Sequence, residues 1–156
     1  MNKEIAIETL LDLLKRGNSA EISASGYSMF PTLRPGDRVL VSPIKENELS
    51  APGDILIINE DDNLVLHRLI EIRRYKESNK VFITRGDCMS ESDSPVRGDQ
   101  IVGIAHSFIR NDKRRFLRSR IPAKHGYKFN KMKLWMWFKM KRLKGLKVYW
   151  FNGLMV

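Results

Sequence analysis

Between residues 20 and 109 the chain is a succession of short runs rich in Val and Ile, each closed off by turn residues. The runs are 20–24, 38–42, 54–59, 64–73, 80–85 and 100–109. Pro35-Gly36-Asp37, Pro52-Gly53-Asp54, Asp61-Asp62-Asn63 and Arg97-Gly98-Asp99 lie between them. Branched apolar residues in segments this short suit a pleated, half-buried surface, and Pro, Gly and Asp supply the reversals. The spacing predicts a mainly β fold: a coiled, partly closed antiparallel domain that leaves few sheet edges open.

The flanks differ. Ile7, Leu10, Leu11 and Leu14 recur at helical spacing, so residues 3–16 are expected to form a short helix ending at Gly17-Asn18 and packed on the domain edge. Residues 110–128 are rich in Lys and Arg and interrupted by Pro122 and Gly126. Residues 130–144 are helix-compatible: Met132, Met136, Met140 and Leu143 follow one face, Trp135, Trp137 and Phe138 broaden it, and lysines fill much of the rest.

Charge divides the chain at the same place. Residues 1–109 hold 13 Lys and Arg against 17 Asp and Glu, whereas residues 110–156 hold 15 against the single acid Asp112. The overall charge of +10 therefore belongs to the tail. Residues 1–109 are expected to form the β domain and 110–156 a basic, aromatic-rich extension suited to an anionic partner. Four readings of that extension stand together. Residues 129–156 can lie on an anionic membrane surface, contact nucleic acid, enter a partner's groove, or simply dock on the domain with solvated lysines.

Cys88 is the only cysteine, so no internal disulfide forms and the cell interior is the expected compartment. Glu4, Glu8, Asp12, Lys15 and Arg16 interrupt the N-terminal apolar residues, unlike a secretory signal. No run approaches the roughly 18 apolar residues of a membrane span. The expected location is cytoplasmic, with peripheral attachment to a membrane through the tail.

The stretch Gly26-Tyr27-Ser28-Met29-Phe30-Pro31-Thr32-Leu33 holds the candidate chemistry. Gly26 by its freedom and Pro31 by its restriction are expected to set an unusual backbone path that presents the Ser28 hydroxyl. A serine needs a base within hydrogen-bond reach to act as a nucleophile. His125 falls in the basic linker and is expected in solvent; His106 is expected to be structural. His67 sits among apolar strand residues, where an imidazole needs a reason. Arg68 cannot be the base, since a guanidinium does not deprotonate, and it faces the opposite side of the strand. A third group has to fix the imidazole tautomer. Asp87, Glu91 and Asp93 in the loop after 80–85 all qualify, and spacing does not choose among them. Cys88 is read as a small apolar filler. No metal-ligand cluster or phosphate-binding glycine loop is evident, so no metal or cofactor is expected.

Five blocks occur in order over residues 20–105. They are Gly-x-Ser-Met-x-Pro-Thr-Leu at 26–33, Pro52-Gly53-Asp54, His67-Arg68-Leu69-Ile70-Glu71-Ile72, Phe82-Ile83-Thr84-Arg85-Gly86-Asp87, and Val102-Gly103. Together they resemble the signal-peptidase and SOS-repressor clan of serine peptidases. Having histidine rather than lysine at position 67, the chain is most similar to the archaeal and endoplasmic-reticulum type of signal peptidase. The resemblance implies Ser28 as nucleophile, His67 as general base, Asp93 as the group orienting His67, and a supporting role for Asp87. It also implies a cleft beside Gly26, Met29 and Pro31 in which a leader, signal or precursor peptide lies as an added strand. The chain departs from the pattern in three ways. No membrane anchor is expected before the serine block, Gly26 stands where many relatives have a Ser or Thr that donates to the oxyanion, and the basic tail has no counterpart. Loss of one oxyanion donor typically lowers the rate by about 10²–10³.

Two other classes of function fit parts of the chain. One is a peptide-binding or regulatory module that keeps the fold without turnover. The other is a regulator akin to the self-cleaving repressors, which the roughly 20 residues before the serine block make too short for a helix-turn-helix module.

Overall fold

The structure, a computed structural model, describes residues 3–44, 51–60, 63–74, 80–120 and 126–143. Its centre is the run Ile55-Leu56-Ile57-Ile58, whose side chains are all at most 1 % exposed. A continuous apolar run, rather than an alternating one, belongs to a strand covered on both faces. This strand, β3 (Ile55–Glu60), lies between β4 (Asn63–Arg74) and β7 (Ile101–Arg110). On one face Ile55 and Ile57 pack with Leu10, Leu14, Met29, Leu33, Val39 and Phe108. On the other, Leu56 and Ile58 pack with Leu69, Phe82 and Val96. Fully burying one such side chain contributes about 1.5–3 kcal/mol, so β3 ties two half-cores into one body.

The remaining strands are β1 (Ala20–Ser23), β2 (Arg38–Ser42), β5 (Lys80–Arg85), β6 (Val96–Arg97) and β8 (Lys113–Phe116). All pairings are antiparallel. The order is β1-β2-β7-β3-β4-β5-β6, with β8 beside β7. Register shifts at Leu40/Val41, Ile57/Ile58 and Leu69/Glu71 interrupt three of the ladders; such bulges bend strands and increase their twist. The sheet nevertheless runs from β1 to β6 without joining its ends. It is mainly antiparallel β, as expected, but open where partial closure was expected.

Helix α1 (Lys3–Lys15) covers the first face with Leu10 and Leu14. It stops where Gly17 takes φ +81°, the left-handed conformation that a glycine adopts without penalty. The amides of Gly17 and Asn18 then bond back to the carbonyls of Leu14 and Leu13.

The short β6, β8 and the start of a second helix were not expected. β8 follows a two-residue turn in which Asn111 and Asp112 have φ of 51° and 57°, with Arg110 paired to Lys113. That is hairpin geometry. The expected boundary after residue 109 thus falls inside β7. Residues 113–120 also hold to the body: the Leu117 amide donates to the His106 carbonyl, and the Ser119 hydroxyl to the Asp54 carboxylate. Helix α2 (Gly126–Leu143) starts at the glycine expected to interrupt the chain. The tail beyond residue 143 and His125 lie outside the described residues.

Candidate active site

Ser28 sits in a compact turn. The Phe30 amide donates to the Tyr27 carbonyl and the Leu33 amide to that of Met29, both at 3.0 Å. Met29, Phe30 and Leu33 are buried beneath it, and the Phe30–Pro31 peptide bond is cis. Ser28 itself is half-buried. Met29, expected beside a substrate, instead points into the core, because the apolar pair around the turn is what holds it down. Gly26 and Pro31 are half-buried at the turn. The path at Gly26 does not use left-handed φ; among the described residues Gly17, Gly36 and Gly53 are the glycines that do.

The turn is fastened to the loop that follows β5. The Cys88 amide donates to the Ser28 carbonyl at 2.7 Å. Gly86 lies so close that a Cβ there would come within 2.8 Å of the Ser28 carbonyl oxygen and 3.0 Å of its Cβ. Only glycine permits that approach.

The same loop reaches His67. His67 stands on β4 opposite Leu56 and is 9 % exposed. Its Nδ1 is 2.6 Å from Asp93 Oδ2. Asp93 is positioned by Thr84, whose hydroxyl donates to the same oxygen at 2.7 Å and whose carbonyl accepts the Asp93 amide at 2.9 Å. A carboxylate accepts only, so Nδ1 carries the proton and a neutral ring then has its lone pair on Nε2. Nε2 is buried and has no hydrogen-bond partner among the described residues. A buried polar atom left this way costs about 1–3 kcal/mol. The direct Ser28–His67 hydrogen bond expected of a nucleophile and its base is therefore not formed. Catalytic contacts in unliganded sites are often long and tighten with substrate.

Asp87 faces the other way. Arg68 grips it with two parallel bonds, Nε to Oδ1 at 2.7 Å and Nη2 to Oδ2 at 2.8 Å. The Thr32 hydroxyl adds a third bond to Oδ2, and Asn130 of α2 donates to the Asp87 carbonyl at 2.7 Å. Arg68 Nη1 also bonds the carbonyls of Gly53 (2.6 Å) and Arg118 (3.2 Å). One buried ion pair thus joins the Ser28 turn, β4, the loop before β3, the segment after β8, and α2. At the far end of the turn Arg110 holds Asp37 and the Thr32 carbonyl. Sequence reasoning dismissed Arg68 as a base and found no task for it. The signal was an arginine one residue from the candidate base in an apolar strand, which burial obliges to find a partner.

Cys88 is buried, and burial pushes its thiol above the ordinary value; it fills space, as expected. His106 is exposed on β7. Glu91 is exposed and takes no part in the His67 contacts. A cleft of about 390 Å³ opens beside Asp93, lined by Glu60, Ser94, Pro95, Val96 and Gln100. Ser28, Gly26, Met29 and Pro31 do not line it.

No protein-family model matches the chain, and no curated protein matches it.

Proposed function

We propose that the protein is a serine endopeptidase that trims a leader, signal or precursor peptide, with Ser28 as nucleophile, His67 as base and Asp93 orienting the imidazole. The observation that carries this reading is His67 itself: a buried ring with Nδ1 held by a carboxylate and Nε2 unpartnered among the described residues. A buried histidine kept only for structure is expected to have both ring nitrogens satisfied. Support comes from the loop 84–93, which touches both His67 and the Ser28 turn.

In the reaction, Ser28 Oγ attacks the scissile carbonyl carbon while His67 Nε2 takes its proton. Asp93 stabilises the imidazolium so formed. The Ser28 amide, which makes no main-chain hydrogen bond among the described residues, donates to the developing oxyanion. The proton on Nε2 then passes to the leaving amine, and water attacks the acyl-enzyme by the reverse sequence. With a single cysteine, the chain works in the reducing cell interior. Incubation with precursor peptides, with cut sites read by mass, tests the reading: Ser28→Ala and His67→Ala abolish the cuts.

A second reading, a non-catalytic peptide-binding module, is favoured by the missing Ser28–His67 hydrogen bond. It requires peptides to bind and stay intact, with Ser28→Ala binding unchanged.

A further inference from the structure

We propose that the outward face of α2 is a docking surface for an anionic lipid bilayer, which holds the Ser28 turn close to the membrane. The docking does not depend on whether Ser28 is a nucleophile.

Helix α2 has two apolar faces. The inner one is occupied. Trp137 packs on Tyr27 and Phe30 with ring centroids 5.8 and 5.9 Å apart, and Phe138 on Tyr27 at 5.1 Å. Asn130 adds its bond to Asp87. The outer one has no cover among the described residues. Phe129, Met132, Met136 and Met140 are 63, 50, 44 and 54 % exposed. Their spacing of three, four and four residues puts them on one stripe. Trp135, 62 % exposed, stands to the side with Lys139 5.0 Å from its ring. Lys128, Lys131, Lys133 and Arg142 are exposed around the stripe, and α2 contains no acid.

This combination selects its occupant. A stripe of flexible methionines with an aromatic at one end can enter the acyl boundary of a bilayer while the flanking lysines reach the phosphates. Among the described residues no helix is long and apolar enough to cross a membrane, so α2 lies along the surface. Nucleic acid satisfies the lysines but leaves the methionines in water, since they offer bases no stacking platform. A symmetric pairing of two copies through this face sets cation against cation with no acid to offset them. Because the inner face grips Tyr27 and Phe30, a bound helix keeps the Ser28 turn within about one helix diameter, ~10 Å, of the lipid.

Co-sedimentation of the full chain with vesicles of mixed phosphatidylglycerol and phosphatidylcholine, beside pure phosphatidylcholine, tests this. The expected result is binding to the anionic vesicles, weaker by about tenfold or more on the neutral ones. A triple variant, Phe129→Gln, Met136→Gln and Met140→Gln, changes exposed positions only and is expected to lose about tenfold or more while unfolding at the wild-type temperature. If that variant folds poorly, Lys128→Gln with Lys133→Gln supplies the same comparison through charge. Ser28→Ala binds vesicles as the wild type does, so failure of the peptidase reading leaves this result intact. The proposal is overturned if the wild type ignores anionic vesicles, or if the outward-face variants sediment unchanged. It is also overturned if single-stranded DNA is bound in preference to lipid, or if light scattering shows a dimer that the triple variant dissolves.

Discussion

His67 shows how one side chain can be both a structural liability and a candidate tool. Its Nε2 is buried and has no partner among the described residues, a deficit that an incoming hydroxyl proton would offset. Asp93 sets which nitrogen holds the proton. In Asp93→Asn the side-chain amide can donate to Nδ1 and favour the opposite tautomer, with the lone pair on Nδ1 instead of Nε2. The expected outcome is a folded protein whose kcat falls by up to about 10⁴, read in peptide cleavage beside a thermal melt. Asp87 belongs to a different category. Its charge is buried against Arg68, so Arg68→Ala leaves a carboxylate unpaired and should destabilise the fold by about 3–5 kcal/mol in chemical denaturation. Tyr27 supplies the pH dependence. Burial raises its pKa above the ordinary 10.0, which means that the fold favours the neutral phenol. The stabilisation it adds is complete below the unfolded tyrosine value and disappears as pH rises through the folded one. Above about pH 10, tryptophan fluorescence should report loosening of Trp137 from the turn, and Tyr27→Phe should suppress that change.

At the scale of elements, six strands were legible because Val and Ile cluster between Pro-Gly-Asp and Asp-Asn turns. Each lies within a residue or so of its expected bounds, and α1 likewise. β8 was hidden because Lys113-Arg114-Arg115-Phe116 has no apolar alternation; all four are exposed. Its signal was local, in Asn111-Asp112, two residues that tolerate left-handed φ. The start of α2 was hidden by Gly126, a residue usually taken as a helix breaker. The candidate site was legible only in part. Ser28 and His67 stood out as residues, but Asp93 was separated from Asp87 by family resemblance, and the Arg68–Asp87 clamp joins positions whose sequence spacing carries no information. The contact between Gly86 and Ser28 gives a test at this scale. Gly86→Ala forces a methyl against the Ser28 carbonyl oxygen and Met89 Cγ, 2.7 Å away. The β5 loop and the turn have to separate, and cleavage should fall by more than stability does. Ile58→Ala, opposite Val65 rather than His67, is the contrasting case. It removes a side chain of 0 % exposure, and should cost about 2–5 kcal/mol with little effect on kcat in the molecules that stay folded.

The whole molecule joins a mildly acidic sheet to a strongly basic end. That end is not a detached tail as far as residue 143. β8 extends the sheet, and α2 grips the Ser28 turn through rings and the loop after β5 through Asn130. The arrangement places the candidate nucleophile between a rigid β body and a helix with an uncovered cationic, apolar face. The central claim is that Ser28 and His67 act together on a peptide carbonyl. It is tested most directly by incubating the purified chain with precursor peptides and reading products by mass, in parallel with Ser28→Ala and His67→Ala. The account predicts one defined cut that both substitutions abolish while each variant still melts as a folded protein. A cut that persists at the same rate in Ser28→Ala, or peptides that bind the wild type and are never cut, would contradict it.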